Sequence, residues 1–148
     1  MKTIALGLLC MALVGCGRTA AQDYARAEKG IDAVASVTDA WQRATAQRRP
    51  TTACSLLDQA GERMIARELA GFKHAGLDTS SCHALIAFIH DAILTPTTRR
   101  ELEDSRPTRV TVAGPNATVQ YSGGIYKLQR ASDGWRISQV PLVTSRSN

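Results

Sequence analysis

Several things are scarce or missing in this 148-residue chain, and each absence excludes something. No apolar run is long enough to cross a bilayer. The opening stretch, Thr3 to Val14, falls well short of the ~20 residues a spanning helix needs. Basic residues form no stripe with interleaved aromatics. Arg48-Arg49 and Arg99-Arg100 are isolated pairs in a chain of net charge +5 with only two Phe, two Trp and three Tyr. A nucleic-acid footprint would need more than that. No C-x-x-C spacing is present, which argues against a zinc cluster or a paired redox centre. Internal repeats, low-complexity blocks and cofactor fingerprints are also missing. No set of residues matches a catalytic motif, so the catalytic assignment stays unknown.

What is present begins at the N-terminus. A basic Lys2, a short apolar core and small residues at its end have the anatomy of an export signal. Within it, Leu13-Val14-Gly15-Cys16 resembles a lipobox, the signal read by bacterial lipoprotein processing. A plain secretory signal would show small-x-small before the cut, and Val14 sits there between Leu13 and Gly15. The resemblance implies removal of residues 1–15 and diacylation of the Cys16 thiol. Two acyl chains anchor stably where one does not, so the expected partner is the membrane, through lipid. Gly17 is not the acidic residue that retains lipoproteins at the inner membrane. The expected location is therefore the outer membrane of a diderm, or the outer face of the cell membrane of a monoderm. The Ala- and Arg-rich composition resembles that of high-GC bacterial proteins. Residues 16–29 read as the lipidated cysteine and a polar, Ala-rich tether, 30–143 as one domain and 144–148 as a polar tail.

The remaining cysteines follow from that reading. Cys10 leaves with the signal and Cys16 takes the lipid, so Cys54 and Cys82 are left together in an oxidising compartment. A bridge between them closes a loop of about 29 residues, for which chain entropy gives roughly 3.5 kcal/mol. A metal site that includes His83 is the rival reading. Its spacing is too loose, and a structural disulfide is favoured.

The first half of the domain has helical periodicity. Ile31, Val34, Thr38, Trp41 and Thr45 recur at three- and four-residue steps, and Pro50 marks the end near Arg49. A second helix is expected from Thr51 or Thr52, with Ala53, Cys54, Leu57 and Ala60 on its apolar face. Gly61 is expected to break it, and Met64, Ile65 and Leu69 to continue beyond. Phe72 to Thr79 reads as a loop. A third helix, capped by Ser80 or Ser81, carries Cys82, Leu85, Ile86, Ile89 and Ile93 in a stripe and stops at Thr95-Pro96. The period then changes to two. Val110/Val112, Ala117/Val119/Tyr121, Tyr126/Leu128 and Trp135/Ile137 alternate with polar residues and are separated by Gly- and Asn-bearing turns. An antiparallel meander of about four strands follows, apolar on one face. The fold class is α+β.

Three N-terminal helices followed by a curved antiparallel sheet that closes with Asp133-Gly134-Trp135-Arg136-Ile137 resemble the NTF2-like superfamily, a cone-shaped α+β fold. Thr52-Ala53-Cys54-Ser55-Leu56-Leu57, paired with Ser81-Cys82-His83-Ala84-Leu85, is similar to the disulfide-bearing NTF2-like lipoproteins of actinobacteria. The resemblance covers about residues 30–143. It implies a pocket between the helices and the concave sheet face. Some members are isomerases or dehydratases, such as ketosteroid isomerase and scytalone dehydratase. Many others bind small molecules or mediate association. No acid–base residue of the enzymes is carried over to a position in this chain.

The candidate pocket-lining residues are Trp41, Tyr121, Tyr126, Leu128 and Trp135, each of which also suits ordinary core packing. His83 and His90 stand seven apart on one helix side, a rise of ~10.5 Å that no single metal ion bridges. His90 and Asp91 are adjacent, so on a regular helix their side chains diverge. His74 is expected in solvent and Asp58 at the surface. Two functions are compatible with this pattern. One is a non-catalytic envelope domain that binds a small apolar ligand or a partner protein, with a homodimer left open. The other is an isomerase- or dehydratase-like enzyme with a general base in the pocket.

Overall fold

The structure, a computed structural model, describes the backbone of residues 20–141 and the side chains of 30–141. The segment 1–15 read as an export signal, Cys16 and the segment 144–148 read as a tail lie outside the described residues. Helix α1 spans Ala20–Ala46. It begins ten residues before Gly30, so the second part of the segment read as a tether is helical backbone. Its buried face carries Val34, Thr38, Trp41 and Thr45, together with Gln42 and Ala44. Arg48 ends the helix at φ 53°. Arg49 N–H donates to the Ala44 carbonyl at 2.7 Å and Arg48 N–H to the Thr45 carbonyl at 3.2 Å. This is a Schellman closure with arginine in the left-handed position that usually takes glycine. The Arg48 guanidinium grips both Asp91 oxygens, which helps hold it there.

Helix α2 (Pro50–Ser55) starts at the proline itself, and Arg49 precedes it without a side-chain cap. The expected cap at Thr51 or Thr52 is thus displaced, because proline's fixed φ and missing N–H suit the first helical position. The break expected at Gly61 falls instead at Leu56–Asp58. There the chain pairs with the last strand: Ile137 N–H donates to the Leu56 carbonyl and Asp58 N–H to the Ile137 carbonyl. Asp58 then caps α3 (Gln59–Glu68) by accepting from Gly61 N–H at 2.8 Å. Gly61 lies inside that helix. A Cβ there would stand 2.5 Å from the Ile137 carbonyl oxygen, so glycine is what lets α3 lie on the sheet. Ala60, expected on an apolar face, is exposed.

The first part of Phe72 to Thr79, read as loop, belongs to a 3₁₀ turn, Ala70–Ala75, closed by Gly76 at φ 84°. Helix α4 (Cys82–Phe88) has Ser81 as its cap, as expected, and continues as a π-helical turn over Ile89–Ile93. Thr95-Pro96 ends it and also starts α5 (Pro96–Asp104), which the periodicity did not announce. With α4 and its π turn taken as one, the described residues contain six helical segments rather than three. Cys54 and Cys82 are bonded, Sγ–Sγ 2.03 Å, and tie α2 to α4.

The strands β1 (Arg109–Ala113), β2 (Asn116–Tyr121), β3 (Gly124–Ala131) and β4 (Gly134–Gln139) form one antiparallel meander in sequence order. Its inner face, including Val119, Tyr121, Tyr126, Leu128, Trp135 and Ile137, joins the helices in one core. The architecture is α+β, with helices on one face of an open four-stranded sheet.

Candidate ligand cavity

At one end of the core the helices do not close on the sheet. A cavity of about 620 Å³ remains between α1, the end of α3, the π turn, α5 and the β2–β3 hairpin. Pockets of this size hold small organic ligands. Its apolar walls include Leu69 and Phe72 from one side and Ile89, Ile93, Leu94 and Leu102 from the other. Trp41, Gln42 and Thr45 come from α1, and Tyr121 and Tyr126 from the sheet. Lining helix side chains therefore come from three separate stretches of chain. The shape exists only once α5 packs on α1.

Three of the expected lining residues, Trp41, Tyr121 and Tyr126, meet at this cavity. Their rings form an edge-on cluster, with Tyr126 5.8 Å from Trp41 and 5.4 Å from Tyr121. Leu128 and Trp135 do not line it. They are buried deeper along the sheet, where Arg130 stacks over the Trp135 ring at 4.8 Å.

The tyrosine hydroxyls are held by α1. Tyr121 donates to Asp39 Oδ1 at 2.5 Å, and Thr38 Oγ1 lies 2.9 Å from the same phenol oxygen. Gln42 Nε2 donates to the Tyr126 hydroxyl at 3.1 Å, while Gln42 Oε1 accepts from Ser105 at 2.6 Å. Burial pushes the Tyr121 phenol well above its ordinary range, and the Asp39 carboxylate adds to the rise. Burial pushes Tyr126 up to about 12, despite the hydrogen bond it receives from Gln42. Both phenols therefore stay protonated at neutral pH, as donors rather than bases or nucleophiles.

Asp39 itself lines a separate polar cleft of about 220 Å³ with Arg43, Glu103 and Arg106. Gln42, Leu102 and Ser105 border both spaces and form the wall between them. Among the described residues, the ionisable side chains lining the larger cavity besides the tyrosines are Glu68 and Glu101, both solvent-exposed.

The histidines lie elsewhere. His83 is exposed. His90 Nδ1 and Asp91 Oδ1 are 2.7 Å apart, contrary to the divergence expected for helical neighbours, because both sit in the π turn where the rotation per residue is smaller. Arg48, then His90, hold the Asp91 carboxyl at about 2. Among the described residues no group of three or more His, Cys, Asp or Glu is placed to hold a metal ion.

Sequence reasoning missed Gln42, Asp39, Ser105 and Glu101. Gln42 left one sign, a polar residue flanked by the stripe positions Thr38, Trp41 and Thr45. Ser105 and Glu101 left none, since Leu102 is the one large apolar side chain of α5 and marks no period. No family model, no curated protein and no solved structure matches this chain.

Proposed function

We propose that the domain binds a small, mainly apolar ligand in the cavity and performs no chemistry on it. The observation that supports this is the cavity itself. It is mostly apolar, is bordered by tyrosines whose hydroxyls are tied to α1, and among the described residues has no lining histidine, lysine or arginine. The proposal includes an NTF2-like cone, for which helices on one face of a four-stranded meander are the coarse requirement. It also includes attachment through Cys16 to the outer face of a membrane, which would place the cavity close to lipids or to envelope proteins.

Native mass spectrometry of protein isolated from its own envelope tests the binding role. A retained small molecule that is lost in Ala92→Trp, which fills the cavity mouth, supports it. A ligand-free protein that also takes up no apolar probe rejects it. One observation favours the second reading, an enzyme: the Asp39–Tyr121 pair has the makings of an acid–base couple. Asp39, however, opens onto the polar cleft rather than the apolar cavity.

A further inference from the structure

The outer face of the sheet carries charge of one sign. In the helical part, residues 30–105, eight Lys and Arg stand against ten Asp and Glu. In residues 106–141, which hold the sheet, five stand against one, and none of the four strands contains an acid. The helices pack on the inner face, so alternation sends every second side chain outward. Among the described residues nothing covers that outer side: Thr111, Thr118, Gln120 and Gln129 are exposed there, as are Arg109 and Lys127. Neither of these two cations has an acidic partner among the described residues, whereas Arg136 on β4 is paired with Asp133.

The register gathers these groups from separate strands. Arg109 pairs with Gln120 and Gln120 with Ile125, so Arg109 and Ile125 share a row two strands apart, ~10 Å between backbones. Lys127 stands two residues along β3 from Ile125, ~7 Å away on the same face. Ile125 is 46% exposed, more than any other large apolar side chain among the described residues. A hydrated acidic polymer would meet the cations and offer nothing to that side chain. A bilayer boundary serves both, since it takes up an apolar group beneath its acidic headgroups. A second copy of this face would set cation against cation, which is unfavourable.

We propose that the outer face of the sheet lies against an anionic lipid surface, with Arg109 and Lys127 on the headgroups and Ile125 entering the boundary between headgroup and acyl chain. Two such charges orient a domain already near a membrane and hold a free one only weakly. The contact needs neither a ligand in the cavity nor the acyl chains expected on Cys16.

Sedimentation of the full, oxidised chain with vesicles tests the face. One set is phosphatidylcholine alone and the other phosphatidylcholine and phosphatidylglycerol in equal parts. Lys2 and the apolar opening stretch are the same in every variant, so differences between variants report the sheet. The chain should prefer the anionic vesicles, and added salt should erase the preference. Arg109→Gln with Lys127→Gln should weaken partitioning onto them by roughly thirty-fold and leave the neutral vesicles unaffected. Ile125→Thr keeps a β-branched residue in the strand and should weaken it about three- to five-fold, which keeps the test intact if the double variant folds poorly. The control pair, Arg67→Gln with Lys73→Gln on the helical side, should change it less than about two-fold. Equal partitioning onto both vesicles, or a loss with the control pair while Arg109→Gln with Lys127→Gln is silent, would overturn the proposal. So would a silent Ile125→Thr together with binding to soluble dextran sulfate that depends on Arg109 and Lys127, which would assign the face to an acidic polymer.

Discussion

Two glycines of this chain illustrate how position decides the effect of a single atom. Gly30 lies inside α1 with nothing within 4 Å of a Cβ, whereas Gly61 lies inside α3 with the Ile137 carbonyl in the way. Gly30→Ala should stabilise by up to ~1 kcal/mol through helix propensity. Gly61→Ala should destabilise by ~1–3 kcal/mol, because α3 must back away from β4. Urea midpoints for the two variants should move in opposite directions. Ionisation gives a second residue-scale test. The Asp91 carboxyl is lowered from 3.8 to about 2 in the fold, so its contribution to stability is complete above about pH 4 and is lost as pH falls toward 2. The site is exposed and the effect small. Asp91→Asn should flatten that part of the acid limb. Tyr126 is raised from 10.0 to about 12, the opposite case: its contribution holds below pH 10 and disappears as pH rises toward 12. Phenolate absorbance should therefore show Tyr121 and Tyr126 ionising only together with alkaline unfolding.

At the scale of elements, the strands and the capped start of α4 were legible, and α5 was not. Period-two alternation survives in β2 and β3 because one face is buried and the other wet, and each turn carries residues suited to it. α5 is illegible for the converse reason. It contains no fully buried residue, so no apolar period marks it, and only Thr95 and Pro96 at its start announce a helix. The same poverty of burial makes α5 a weakly anchored wall of the cavity. Its amides should exchange faster than those of α1 and β2, and a cavity ligand should slow them. Thr95 accepts from Thr98 N–H at 3.1 Å, and Thr95→Ala should cost about 1 kcal/mol locally and speed that exchange further. Equal protection of α5 and α1 would show that the wall is not separately mobile.

For the whole molecule, the disulfide and the expected anchor are the two devices that the cysteines supply. Cys54–Cys82 closes a loop with a sequence separation of 28. Reduction, or Cys54→Ser with Cys82→Ser, should lower stability by roughly 3 kcal/mol, read as a drop in melting temperature. Cys16→Ala should release the protein from membranes, and membrane retention without acyl mass would reject the lipid anchor.

By itself the sequence determined the class of fold, the inward face of every strand and the stripe of α1 from Val34 to Thr45, although Ile31, expected on that stripe, is exposed. These are periodic, and burial on one face imprints them on the chain. The pairing of Cys54 with Cys82 followed instead from which cysteines were left over. The tertiary structure alone decided where the cavity lies and which residues line it. Its walls come from residues as far apart as Trp41, Glu101 and Tyr121. No spacing along the chain encodes that meeting, because it is made by the packing of α1, α5 and the sheet.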